Sequence, residues 1–165
     1  MTNSKQKIDY SGRTVDLLLL KTITSIPAVN QRVSLDVSNS VDNPMVVSGI
    51  EKMVQRFAIL FINIMGSTKF RESHGTNLVS DVGSGLVYDM GTLTTTVAKA
   101  NKNAMTEMKN GDINEDTPDD EKLATSEIID LELSKETSSV KISIKLTSEA
   151  GESYTYIIPV AIGVH

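Results

Sequence analysis

The chain contains no cysteine, so disulfides and thiolate metal sites are excluded. Tryptophan is also absent, and three Phe and four Tyr bring the aromatic share to only 4%. That is too few for the stacking platforms that hold single-stranded nucleic acid, and it requires an aliphatic core. Histidine occurs twice, as His74 and His165, too sparse and too separated for a recognisable metal motif. No apolar run approaches the ~18 residues of a membrane span; the longest, Phe57-Ala58-Ile59-Leu60-Phe61-Ile62, is far shorter. The opening Met1 to Lys7 is followed by no apolar stretch of signal-peptide length, since Leu17 to Leu20 is only four residues. The expectation is a soluble protein made in the cytoplasm.

A length of 165 residues favours one domain with an arm, since domains usually run to ~100–200 residues. Sixteen basic residues stand against 21 acidic ones, a net charge of -5. Six of the carboxylates, Asp112, Glu115, Asp116, Asp119, Asp120 and Glu121, crowd one segment that has no basic residue. Setting those six aside leaves 15 acidic residues against 16 basic ones, so the body is close to neutral. A near-neutral body lacks the clustered Lys and Arg that duplex DNA requires.

Residues 1–45 read as an N-terminal arm with strand-like segments: the apolar Val15 to Leu20, and Arg32-Val33-Ser34-Leu35-Asp36-Val37, which alternates with the period of a half-buried strand. Asn39, Asp42, Asn43 and Pro44 form a turn that separates the arm from a domain over 46–165. Ser48 with Glu51 three residues later has the form of a capping box and predicts a helix over about 48–65, stopped by Gly66. Ile50, Met53, Val54, Phe57, Leu60, Phe61 and Ile64 supply its apolar face. Glu51, Lys52, Gln55, Arg56 and Asn63 supply the wet one. From Phe57 onward the helix is apolar nearly all round, which predicts a central, covered position.

A short helical start at Leu78, Val79 and Val82 is interrupted by Gly83-Ser84-Gly85. A second long helix is predicted over about 92–109 from Leu93, Val97, Ala100, Ala104, Met105 and Met108. Residues 110–122 read as an acidic, solvated loop. Three strands follow within 126–162, centred on Glu127–Leu133, Val140–Leu146 and Tyr154–Val160, joined by short links at Ser138-Ser139 and Glu149 to Glu152. Pro159 lacks the N–H of a ladder and predicts that the last strand either lies at an edge there or ends early. The fold class is therefore α+β: two main helices packed on a small C-terminal antiparallel sheet, with an extended N-terminal arm.

Chemistry-bearing patterns are few. Asp112, Asn114 and Asp116 match the first, third and fifth positions of a calcium loop, but Thr117 and Leu123 stand where Gly and a bidentate Glu are required. Gly83-Ser84-Gly85 begins like a dinucleotide fingerprint, yet Tyr88 occupies the third Gly position. Ser84, His74 and Asp81 are components from which folding could assemble a nucleophilic triad, but nothing around the Ser resembles a nucleophile elbow. The residues therefore predict no catalytic, cofactor-binding or metal site.

The run Gly49-Ile50-Glu51-Lys52-Met53-Val54-Gln55-Arg56-Phe57-Ala58-Ile59-Leu60, then Gly66, Gly75 and Leu78, and the closing Tyr156-Ile157-Ile158-Pro159-Val160 resemble the baseplate wedge and sheath-initiator family of contractile phage tails, the lysozyme-like wedge subunits of T-even phages and their relatives. The resemblance covers about residues 46–165. Gly66-Ser67-Thr68 stands where that family has Gly-Glu-Arg. The resemblance implies a structural virion protein of the tail baseplate, assembled in the host cytoplasm. Its implied partners are other wedge proteins and the tail sheath protein, with no nucleic acid and no membrane. It implies that the chain helps nucleate the sheath by docking strands between subunits.

Strand-like segments lie near both ends of the chain; they pair either with each other within one copy or, since unpaired strand edges favour partners, between subunits. Leu17, Leu19, Tyr154, Tyr156, Ile158, Val160 and Ile162 are accordingly the expected interface residues. The competing expectation is a small soluble binding module or enzyme with its site in the 66–78 loop, around Lys69, Arg71, Glu72 and His74.

Overall fold

Three helices precede three long strands in the computed structural model, which describes residues 16–17, 46–113, 116–134, 136 and 139–161. The order is β1 (Asp16–Leu17), β2 (Val46–Val47), α1 (Ile50–Ile62), α2 (Leu78–Gly83), α3 (Met90–Asp112), β3 (Leu123–Ser134), β4 (Ser139–Ser148) and β5 (Ser153–Ala161). The architecture is α+β, with helices on a three-stranded antiparallel sheet of order β3-β4-β5. β1 and β2 form a separate antiparallel pair, Asp16 opposite Val47 and Leu17 opposite Val46. Most of the expected arm, including the strand at Arg32–Val37, lies outside the described residues.

The helices cover one face of the sheet: α3 runs along β3, while α1 and α2 pack against β5. In β4 the period of two works without a fault, burying Val140, Ile142, Ile144 and Leu146 against the helices. β3 needs two corrections of phase. Between Leu123 and Thr125, and again between Ile128 and Asp130, its register against β4 shifts by one residue. The inserted residues, Ala124 and Ile129, are β-bulges. Because of the second bulge, Ile128 opposite Ile144 and Leu131 opposite Ile142 face the same side despite their odd spacing.

α1 places Met53, Phe57 and Phe61 at full burial, with the Phe57 and Phe61 rings stacked at 5.7 Å between centroids. α3 buries Leu93, Val97, Ala100, Ala104 and Met108, the face its spacing predicts, while Met105 is half-buried. It begins two residues before the expected Thr92, because Asp89 and Thr92 form a capping box. The Asp89 carboxylate accepts from Thr92 N–H at 2.7 Å, and Thr92 Oγ1 accepts from Asp89 N–H at 3.2 Å. Midway along α3, Asn101 is buried and accepts from Ser126 Oγ at 2.5 Å, tying the helix to β3.

Two local expectations fail at α1. Its N-cap is Gly49, with no side-chain cap from Ser48, and its last helical residue is Ile62 rather than one next to Gly66. Ile64, placed on the apolar face by its spacing, lies past the helix end and is exposed. The Gly49 N–H is satisfied instead by Glu121 Oε1 at 3.1 Å, 72 residues away in sequence. The same carboxylate pairs with Lys52 Nζ at 2.9 Å, and one turn further along α1 Arg56 pairs with Asp112 at 2.7 Å.

The acidic segment is therefore not the solvated loop its composition predicts. Asp112, Thr117, Asp120 and Glu121 are buried, and so are Lys52 and Gln55 on the supposedly wet side of α1. Carboxylates whose cations lie in a distant element look unpaired in sequence; folding supplies the countercharge and buries both. A turn at Pro118, with Glu121 N–H donating to Pro118 O at 2.9 Å, aims the segment. The β4–β5 turn docks on it through Glu149 N–H to Lys122 O at 3.0 Å and Ala150 N–H to Asp119 O at 3.1 Å.

Two stability outcomes follow in denaturant titration. Phe57→Ala, which empties a fully buried ring position of α1, should cost ~3–5 kcal/mol; a loss below ~1 kcal/mol would mean that the site collapses or is not enclosed. Glu121→Ala should cost ~3–5 kcal/mol by stranding the Lys52 ammonium and the Gly49 N–H, and Lys52→Met combined with Glu121→Leu should recover most of the loss. A Glu121→Ala protein of wild-type stability would show that the acidic segment does not hold α1.

Candidate functional site

A sheet covered on one face and built of three strands has two edges, and these two are guarded very differently. β3 carries both bulges, and its outward row is acidic: Glu127, Asp130 and Glu132 are all exposed. β4 answers with lysines, Lys145 opposite Glu127 and Lys141 opposite Glu132, the latter an ion pair at 3.1 Å. Bulges and charges are the ordinary devices that stop an edge from recruiting another strand. β5, Ser153-Tyr154-Thr155-Tyr156-Ile157-Ile158-Pro159-Val160-Ala161, has no charged residue and no register shift against β4. Among the described residues no strand lies on its outer side, and Pro159 is its one guard. The edge position foreseen from Pro159 is the one observed.

This placement changes what the expected interface residues can do. Tyr156, Ile158 and Val160 send their side chains into the core of their own chain, and Tyr154 packs half-buried against it, because these are the inward positions of the period-two pattern. What β5 can give a partner is its backbone edge together with the outward Thr155 and Ile157, of which Ile157 is 40% exposed. Tyr154 to Val160 reads as a strand in the sequence, which does not say which of its two faces the helices cover. Leu17 pairs through its backbone with Val46 in the small β1–β2 ladder. Leu19 and Ile162 lie outside the described residues.

The second candidate is the loop between α1 and α2. It is closed at its base by a parallel bridge between Ile64 and Thr76, with Met65 N–H donating to Thr76 O at 3.0 Å and Thr76 N–H to Asn63 O at 2.8 Å. Gly75 takes φ 109° there, and a Cβ on it would stand 2.5 Å from the Asn63 carbonyl oxygen, so only glycine lets the two strands of the neck meet. Thr76, fully buried, donates its hydroxyl to Phe61 O at 2.6 Å and links the neck to the end of α1. At the tip Phe70 is 89% exposed between the exposed Lys69 and Arg71.

The components of the sequence-level triad have separate partners. Ser84 Oγ donates to the Asp81 backbone oxygen at 3.2 Å, while His74 Nδ1 faces Glu107 Oε1 on α3 at 3.6 Å. Gly83-Ser84-Gly85 ends α2, with Gly85 at φ 75°, as a helix break rather than a phosphate cradle. Asp112, first of the calcium-like positions, is spent on Arg56, and Asn114 lies outside the described residues. Among the described residues no three His, Asp or Glu side chains converge on a metal-sized space, and no helix is long and apolar enough to cross a membrane.

Burial of Tyr156, and secondarily the neighbouring Tyr154, raises the Tyr156 phenol above its ordinary value of 10.0. A raised folded-state value means that this contribution to stability is complete below pH ~10 and is lost as pH climbs through the folded value, because the unfolded chain then releases the proton first. Tyr156→Phe should therefore flatten the alkaline fall in stability measured by denaturant titration across pH ~9–12; an unchanged alkaline slope would place the Tyr156 hydroxyl in water. In comparisons with known proteins, no family model, no curated protein and no solved structure matches the chain.

Proposed function

We propose that the chain is a non-enzymatic assembly subunit that works by strand addition at the outer edge of β5. The observation that supports this reading is the asymmetry of the sheet: β3 is defended by two bulges and three carboxylates, and β5 is an uncharged nine-residue edge. An extended partner segment laid along β5 would satisfy its outward N–H and C=O groups and continue the sheet. Specificity would come from side chains beside Thr155 and Ile157 on the outer face.

Together with the resemblance of residues 46–165 to baseplate wedge subunits, this becomes a role in the virion: an inner baseplate wedge subunit of a contractile phage tail, assembled in the host cytoplasm. It contacts other wedge proteins and gives the tail sheath protein its first strand-docking edge. Nucleating a sheath needs an accessible edge and a body that does not deform when the edge is used. The buried ion pairs and the core beneath β5 supply that body.

The test is electron microscopy of tail assemblies labelled with an antibody to this chain, together with complementation by an edge-blocked chain carrying Thr155→Lys and Ile157→Lys. Label at the baseplate and loss of sheaths with the blocked chain, while circular dichroism stays native, is the expected result. Full-length contractile sheaths formed in the complete absence of this protein would end the reading.

A further inference from the structure

We propose that copies of this chain associate head to tail, the Lys69-Phe70-Arg71 loop tip of one copy seating in the acidic cleft at the start of α3 and the end of β3 of the next. The contact leaves the outer edge of β5 free, so it stands or falls separately from strand addition there.

The donor side is a projecting apolar wedge between two cations. Phe70 is 89% exposed in a chain that has only three Phe and buries the other two completely. Lys69 Nζ lies 5.8 Å from the Phe70 ring centroid, and neither Lys69 nor Arg71 has an ion-pair partner among the described residues. The loop is held in shape before any partner arrives, by its closed neck and by successive turns, Arg71 N–H to Thr68 O at 3.1 Å and His74 N–H to Arg71 O at 3.0 Å. A tip that is already ordered loses little freedom on binding.

The acceptor side has the opposite character. An open cleft is lined by Asp89, Met90, Glu132, Leu133, Ser134 and Glu136, three carboxylates around an apolar floor with no cation among the described lining residues. The Glu132 charge is partly offset by Lys141. The chain leading into the cleft adds Leu86 and Tyr88, 63% and 68% exposed, alternating with the buried Val87. Met90 is 45% exposed, so exposed apolar side chains recur at 86, 88 and 90 on the chain that enters the acidic cleft. A second copy supplies the complementary chemistry: an aromatic wedge for these apolar side chains and two cations for the carboxylates.

The two features cannot meet within one copy. The neck of the loop lies beside Glu107, and Met90 is about 25 Å further along the α3 axis. Phe70 is four residues from His74, a reach of roughly 14 Å at full extension. The contact is therefore between copies, and repeated head to tail it joins them into a ring or a row.

Sedimentation of the full-length chain tests this with two exposed-surface variants. Phe70→Asp removes the tip and leaves the cleft; Met90→Arg with Glu136→Arg reverses the cleft and leaves the tip. The wild type should grow beyond a dimer with concentration, and growth should weaken on raising salt from ~0.05 to ~0.5 M. Each variant alone should associate roughly tenfold or more weakly, with an unchanged melting curve. Mixed one to one, the variants retain a single competent contact per pair and should form a discrete dimer and nothing larger. A wild type monomeric to ~1 mM, variants that associate as well as the wild type, or a mixture that stays monomeric would each overturn the proposal.

Discussion

One carboxylate sets the frame of the molecule. Glu121 accepts the Gly49 N–H at the start of α1 and pairs with Lys52 in its first turn, at a side-chain exposure of 1%. The N-terminus of a helix presents unsatisfied N–H groups and the positive end of its dipole, so a buried carboxylate is well matched there. Arg56 and Asp112 repeat the arrangement one turn along. These two pairs fix α1 against both the end of α3 and the start of β3. Buried pairs of this kind add little net stability compared with apolar packing, but a register that leaves either charge alone is strongly disfavoured. They select one placement of α1.

That placement explains the sheet. With α1 and α2 on β5 and α3 on β3, all the apolar cover lies on one face, and every strand must send its oily residues the same way. β4 and β5 do so with an unbroken period of two. β3 reaches the same end with two bulges, which bend an edge and spoil its pairing with outsiders. The device that corrects the phase of β3 is therefore also the one that closes its edge. No such correction is needed in β5, and its edge stays regular, with no strand beside it among the described residues.

The neck of the 64–76 loop follows the same logic on a smaller scale. Thr76 satisfies the Phe61 and Asn63 carbonyls at the end of α1, and Gly75 lets the two sides of the neck approach closely enough for it. The molecule thus combines a tightly specified interior with two plain outward features, a straight edge and a rigid aromatic tip. That division suits a part in an assembly, where contacts must be made by surfaces that do not rearrange.

Sequence periodicity by itself determined the α+β class, the apolar faces of α1 and α3, the break after α2, the turn at Glu149–Glu152 and the edge position of the strand containing Pro159. Each of these is a local pattern, in which a residue's neighbours within one or two turns decide its side. The cap of α1, the end of α1 at Ile62 and the fate of the acidic segment were not legible. Ser48 and Glu51 had the right spacing for a local cap, and the acidic run had the composition of a solvated loop. A carboxylate 72 residues away won the first contest, and two lysine- and arginine-bearing turns of α1 won the second. The candidate edge was half legible for the same reason. The sequence marked Tyr154 to Val160 as a strand, but only the packing of α1 and α2 against it decided that Tyr156, Ile158 and Val160 would be core and that its outer edge would present backbone with Thr155 and Ile157.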